Sequence, residues 1–293
     1  MFSIIIPSYN RVNEIPALLN SLMLQKRQNF EVIIIDDCSN EAVKLSQEYP
    51  FSVNVIRNQQ NLGAAQSRNV GVYYARYDWL LFLDDDDRFR SDKTAVLATV
   101  IENNPNANFI YHKAECVMVN ENFHYLTRPL AENEISLNTM LQANKIGGIP
   151  MIAIRKSFFI EVEGFSKNLL SLEDYEFILK LIASNKLNAK YIDEALTICT
   201  FHTKRASVST NTMQTNNAIE YIRKKYVKNI EQAKCFKINA LYMLAYPHIM
   251  NLSRKAAKYY FLIFKESTKL KYLLIAIIVF ISPKLAIHLK RFI

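Results

Sequence analysis

Four short apolar runs punctuate the first hundred residues: "FSIIIP", "FEVIIID", "VNVIR" and "DWLLFLD". Each has strand length and is rich in β-branched or large apolar side chains. Between them the apolar positions change period. Ile15, Leu18, Leu19 and Leu22 repeat with helical spacing, and a second helical segment covers residues 65–75. Strands that are apolar throughout, rather than on alternate positions, are those buried on both faces. Strand–helix alternation of this kind predicts an α/β unit whose mostly parallel sheet carries helices on both sides. In such sheets ligands bind beyond the carboxyl ends of the strands. "PSYN", "DDCSN" and "DDDD" stand at the expected ends of the first, second and fourth strands.

From residue 105 to 210 the pattern is mixed. Strands are expected at "NFIYH", "ECVMVN", "PMIAIR", "AKYID" and "LTICTFH", and helices near Ser136–Ala143 and Ser157–Glu163. A stronger helix begins in "SLEDYEFILKLIAS", with Tyr175, Ile178, Leu179 and Ile182 on one face, and Ser171 with Asp174 fits a capping box at its start. The polar stretch "HTKRASVSTNTMQTNN" reads as a loop, and everything after it as helix. The expected division is a domain over 1–210 and a helical C-terminal region over 211–293.

Composition changes the picture only when it is divided. The net charge of +9 splits into −4 for residues 1–220 and +13 for 221–293, where fifteen Lys or Arg face only Glu231 and Glu266. Basicity thus describes the C-terminal region, whose apolar run Tyr272–Ser282 is shorter than the roughly twenty residues needed to span a bilayer. Basic residues on both sides of a short apolar segment predict an interfacial anchor on anionic lipid, with a buried helix as the alternative. Nucleic acid is not an expected partner. Cys38, Cys116, Cys199 and Cys235 are scattered without a CxxC pair, which argues against a zinc ribbon or a disulfide scaffold. "MFSIIIPSYN" lacks a basic leader region, so a cytoplasmic location at the inner face of the cell membrane is expected. Five glycines and no GxGxxG disfavour a dinucleotide fold or a phosphate-binding loop.

The chemistry concentrates in a few places. "WLLFLDDDDRFR" drives an apolar strand straight into four aspartates, which repel one another; a solvated acidic loop is the plain reading of such a run. "SIIIPSYNR", "VIIIDDCSN", "NLGAAQSRNVGV", "LLFLDDDD" and "LLSLEDYEFILKL" occur in that order. Together they resemble the inverting family-2 nucleotide-sugar glycosyltransferases of GT-A fold, over roughly residues 2–210.

The resemblance implies a role for each motif. Asp84 and Asp86 stand as the DxD pair that holds Mg²⁺ or Mn²⁺ against the donor diphosphate, with Asp87 in reach; hard cations take oxygen ligands and keep phosphates in their shell. Asp85 occupies a position the family often gives to a small residue, and is expected near the donor. Asp37 matches the acceptor of a uracil-type N–H, while Asp36 is open to a structural role. Tyr9 matches a ring that stacks on the base, and Pro7 lies on the same strand. Arg68 matches a basic residue near the nucleotide, with a helix-face salt bridge as its alternative. Glu173 and Asp174 match the family's ED motif, in which the aspartate is the general base for the acceptor hydroxyl. His202 stands where relatives place a His that contacts metal or diphosphate, and Lys204 and Arg205 come directly after it as candidates to close over the phosphates. QxxRW is absent after ED, which implies transfer of one sugar rather than polymerisation.

The expected function is transfer of a single sugar from a nucleoside diphosphate donor, UDP-linked, to a glycan or lipid-linked acceptor in surface polysaccharide or lipopolysaccharide synthesis. Two other classes compete with it. A nucleotidyltransferase uses a similar acidic metal site but needs a glycine-rich basic loop after the first strand, where "PSYNRVNE" offers only Arg11. A non-catalytic membrane-bound glycan-binding protein would explain the tail but not Asp37, the aspartate run and Glu173–Asp174 together.

Overall fold

The structure is a computed structural model that describes residues 1–204 and 212–289. Strands β1 (Phe2–Ser8), β2 (Phe30–Asp36), β3 (Ser52–Arg57) and β4 (Trp79–Phe82) alternate with helices α1 (Ile15–Met23) and α2 (Ala64–Tyr74). Next along the chain come β5 (Arg88–Phe89), α3 (Lys93–Asn103), β6 (Phe109–Met118), β7 (Phe123–Leu126), α4 (Leu137–Gln142), β8 (Ile152–Arg155), α5 (Lys156–Glu161), α6 (Glu173–Ala183) and β9 (Ala189–Phe201). The C-terminal helices are α7 (Thr212–Tyr226), α8 (Ile230–Met250), α9 (Ala256–Ser267), α10 (Leu270–Ile281) and α11 (Pro283–Leu289).

One sheet runs in the order β3-β2-β1-β4-β8-β6-β9-β5, with β7 paired to β6. The half built by β3, β2, β1 and β4 is parallel. β8 lies antiparallel between β4 and β6, and β9 runs parallel to β6. Two antiparallel steps restore direction, so β6 and β9 point the same way as the parallel half. The carboxyl ends of β1, β2, β4, β6 and β9 therefore share one edge.

The apolar runs do what their composition requires. On β1, Ile5 packs with Val72 of α2 and with α5 and α6, whereas Ile4 and Ile6 pack with Leu18 and Leu22 of α1 and Leu97 of α3. Alternate residues of one strand thus feed two cores, one on each face. At ~25 cal/mol per Å² of buried apolar area, this two-sided burial is the main stabilising contribution. Gly71 lets α2 sit directly on the sheet: a Cβ there would lie 2.4 Å from Ile5 Cγ2.

The structure corrects several local expectations. "NFIYH" and "ECVMVN" belong to one strand, β6, and "AKYID" and "LTICTFH" to one strand, β9, because the two pair along their lengths with register shifts near Lys113. β5, β7 and α3 escaped the pattern; the first two are too short to show a period. Residues 212–217, read as loop, open α7. Thr215 within that stretch and Ala218 and Ile219 just after it are buried, so the helix is set by packing rather than by composition. Ile222 and Tyr226 of α7 and Phe236 of α8 join the core beside the sheet. Glu176 of α6, fully buried, reinforces this junction by accepting from Tyr226 Oη at 2.6 Å and Lys225 Nζ at 2.9 Å. Outside that core, Ile287 of α11 packs with Met118 and Met250, and Val279 of α10 with Ala256 and Ala257 of α9, in two small clusters.

Candidate active site

The parallel strands deliver their terminal residues side by side. Asp37 N donates to Ser8 O at 2.8 Å and Leu83 N to Ile5 O at 3.0 Å, which carries the ladders past the strand ends and holds the three loops in register. Tyr9 emerges from β1 with its ring about half exposed, and Pro7, partly buried, pairs with Ile35 inside the sheet.

The two aspartates after β2 divide their work. Asp36 accepts from Ser39 N at 2.9 Å, Val43 N at 3.2 Å and Arg57 Nη1 at 2.7 Å. Burial opposes its charge, but these donors hold its pKa below the ordinary carboxylate value, and its role is to fix the loop. Asp37 is also buried; Oδ1 accepts from Asn58 Nδ2 and Leu62 N, and Oδ2 from Gly63 N, all at 2.8 Å. A carboxylate has about four acceptor positions, so one remains on Oδ2. Gly63, at φ +80°, takes a left-handed conformation that suits glycine and starts α2.

The aspartate run separates into exposed and buried members. The side chains of Asp84 and Asp86 are about a third exposed, at 35% and 31%. Asp85 and Asp87 are buried. Burial and then the neighbouring carboxylates push Asp85 up to about 7, against the pull of Arg11. Burial and Asp84 push Asp87 up to about 8, opposed by Thr200 N, which donates to Asp87 Oδ1 at 2.9 Å. Arg11 Nη1 lies 3.1 Å from Asp85 Oδ1 and 2.8 Å from Asp86 Oδ2, and Ser8 Oγ donates to Asp85 Oδ2 at 3.2 Å.

Arg68 joins this loop to the ED motif. Projecting from α2, its guanidinium is buried, with Nη2 2.6 Å from Asp84 Oδ1 and Nη1 3.5 Å from Glu173 Oε1. Its Nε is buried without a partner. The salt-bridge alternative therefore holds, but inside the site rather than on an outer helix face. The backbone enters α6 through Leu172 at φ +56°, and no capping box forms there; Ser171 Oγ instead lies 3.3 Å from Thr215 Oγ1 of α7. A left-handed non-glycine residue at this point marks a backbone held by its surroundings. Asp174 Oδ1 accepts from Tyr175 N at 2.7 Å. Burial and then Glu173 push Asp174 up to about 6, while Arg68 pulls the other way and Asp84 adds to the rise.

His202 lies just past β9 at the same edge and is half-buried. Lys204 is tied through its backbone to Met250 O at 2.9 Å, and Arg205 lies outside the described residues. Among the described residues no three His, Cys, Asp or Glu side chains close around a common point. Asp84 and Asp86 nevertheless offer partly exposed carboxylate oxygens, each paired with an arginine, which suit a hard cation held by one or two carboxylates with the remaining positions left to phosphate and water. Arg11 is the residue that reasoning from sequence passed over. Its position immediately after "PSYN", facing an edge with four aspartates, was the available signal.

The model of the glycosyl transferase family 2 matches residues 3–166. An uncharacterized glycosyltransferase of Haemophilus influenzae is 60% identical over 291 residues, 99% of each chain. The UDP-Glc:alpha-D-GlcNAc-diphosphoundecaprenol beta-1,3-glucosyltransferase WfgD of Escherichia coli is 27% identical over 72% of this chain and 80% of its own. The crystal structure of Staphylococcus aureus TarS 1-349 in complex with UDP-GlcNAc superposes with a TM-score of 0.62 at 18% identity, covering 94% of this chain and 90% of that one, which shows a shared GT-A fold.

Proposed function

This chain belongs to glycosyltransferase family 2, and on that premise we propose that it transfers one sugar from a UDP-sugar to a glycan or lipid-linked acceptor, with inversion at the anomeric carbon. Membership itself makes it an enzyme of sugar transfer, which favours that activity over nucleotidyl transfer. WfgD is a beta-1,3-glucosyltransferase from UDP-Glc to alpha-D-GlcNAc-diphosphoundecaprenol, and AmsB of Erwinia amylovora is an amylovoran biosynthesis glycosyltransferase. The setting proposed here is surface polysaccharide synthesis at the inner face of the membrane.

The observation that carries the proposal is the placement of Arg68. One buried guanidinium spans Asp84 of the aspartate run and Glu173 of the ED pair, so the donor-diphosphate region and the acceptor base are parts of one electrostatic unit. In this reading Tyr9 stacks on the base, and the remaining acceptor position of Asp37 Oδ2 takes a uracil N–H, with Pro7 shaping the strand end below. Asp84 and Asp86 would hold Mg²⁺ or Mn²⁺, with Asp87 and His202 as further ligands and Asp85 beside the donor. When bound, the cation supplies charge neutralisation for the departing diphosphate. Asp174 takes the proton of the acceptor hydroxyl. With a pKa near 6 it is ionised at neutral pH yet basic enough to accept, and the neighbouring Glu173, held by Arg68, adds to that basicity through its charge. Base and leaving group on opposite sides of the sugar require inversion.

The test is release of free nucleoside diphosphate from a panel of UDP-hexoses, UDP-N-acetylhexosamines and GDP-mannose, with acceptor-containing membrane extract and Mn²⁺. UDP release from at least one donor is expected. No release from any donor, with the protein folded, would overturn the proposal.

A further inference from the structure

The α9–α10 pair presents an apolar face that the other described residues leave uncovered. Leu270, Leu274, Ile277 and Ile281 succeed one another at a four-three-four spacing along α10 and are 48–69% exposed. Ala276 and Val279, by contrast, are buried, Val279 against Ala256 and Ala257 of α9. Between the two helices lies an open groove of about 470 Å³ with Ala257 and Ala276 in its lining, flanked by Phe261, Ile277 and Phe280. Arg254 and Lys258 also line it. Lys265 lays its Nζ 5.0 Å from the centre of the Phe261 ring, an aliphatic stem along apolar surface with a charged head beyond it.

Charge decides what such a face meets. From residue 251 to 289 there are seven Lys or Arg and one acid, Glu266, and Glu266 is already paired with Lys237 of α8 at 2.6 Å. A second copy of this chain, docking face to face by a two-fold axis, would bring identical basic rims together, which disfavours it. An anionic partner is complementary. No helix among the described residues is long and apolar enough to cross a membrane. The twelve residues of α10 span about 18 Å at ~1.5 Å per residue, against a hydrocarbon core of roughly 30 Å. The fitting arrangement is a helix pair lying in the plane of the interface.

We propose that the α9–α10 face docks on an anionic phospholipid bilayer, with Ile277 and Phe280 among the acyl chains and Arg254, Lys258 and Lys265 at the headgroups. The platform is fastened to the candidate site's edge of the sheet. Met250 at the end of α8 and Ile287 of α11 pack with Met118 and Phe201, the last residues of β6 and β9. Thr200, next to Phe201, donates its N–H to Asp87. Docking therefore sets the aspartate edge at a defined attitude to the membrane surface. That purpose, presenting the site to a lipid-linked acceptor, rests on the sugar-transfer reading; the docking itself does not.

The experiment is flotation of the full chain with vesicles of phosphatidylcholine alone and of phosphatidylcholine with phosphatidylglycerol. The wild type is expected to float with the anionic vesicles and poorly with the neutral ones. Ile277→Asp/Phe280→Asp should lower partitioning onto anionic vesicles at least about tenfold, with an unchanged circular dichroism spectrum and unchanged UDP release in membrane-free solution. Lys258→Gln/Lys265→Gln should narrow the difference between the two vesicle types. Equal flotation of wild type and the apolar-face variant would overturn the proposal. So would an altered oligomeric state of that variant with unchanged flotation, which would give the face to a second copy. Absence of UDP release with every donor, alongside intact flotation, would count against the enzymatic reading alone.

Discussion

Replacing Asp174 with Asn isolates the proposed base from its structural surroundings. Asp174 Oδ1 accepts from Tyr175 N at 2.7 Å, and an amide oxygen makes the same bond, so the start of α6 is retained. The capacity to take a proton disappears. General bases contribute roughly 10²–10⁴-fold, which at ~1.36 kcal/mol per decade is about 2.7–5.4 kcal/mol of transition-state stabilisation. The structure also assigns the pH at which the wild type loses this group. Burial and Glu173 raise the carboxyl to about 6; because the reactive form is the anion, the contribution of this group to kcat/KM is full above that pH and falls about tenfold for each pH unit below it. Arg68 opposes the rise, so Arg68→Met should move the acid limb upward in addition to weakening donor binding. The assay is UDP release across pH 4.5–9, with donor affinity measured separately by calorimetry. Asp174→Asn should keep donor affinity within a few-fold, lose at least about a hundredfold in kcat, and lose the acid limb near 6. A variant that retains the limb, or whose turnover falls less than about threefold, would refute the assignment.

The same geometry carries two further expected outcomes. Activity should vanish in excess chelator and return with Mn²⁺ or Mg²⁺, and Asp84→Asn or Asp86→Asn should raise the cation concentration needed for half-maximal turnover; undiminished turnover in chelator would remove the cation from the mechanism. Gly71→Ala gains helix propensity but sets a methyl 2.4 Å from Ile5 Cγ2. It should destabilise by about 1–3 kcal/mol in urea unfolding, and an unchanged or raised midpoint would show that α2 can move off β1 without cost.

The sequence by itself determined the parallel half of the sheet and the edge on which chemistry gathers. Short apolar runs alternating with helical segments point to strands covered on both faces, and the polar residues directly after such a run surface at the strand's end. "PSYN", "DDCSN" and "DDDD" are placed at that edge by this reasoning alone. Order of motifs was equally legible, because family resemblance is carried along the chain. Tertiary structure alone decided which charges meet. Arg11 and Asp86 are 75 positions apart, and Arg68 and Glu173 are 105 apart; no local period encodes such pairs, which exist because β1, α2 and α6 converge at one edge. It also decided that Ser171 turns to Thr215 instead of capping α6, since α7 packs against that turn. Local preference favours a cap, but a buried partner from a distant segment can override it. The basic tail divides in the same way: composition showed its charge, and only the packing of α9 on α10 showed which apolar side chains remain exposed.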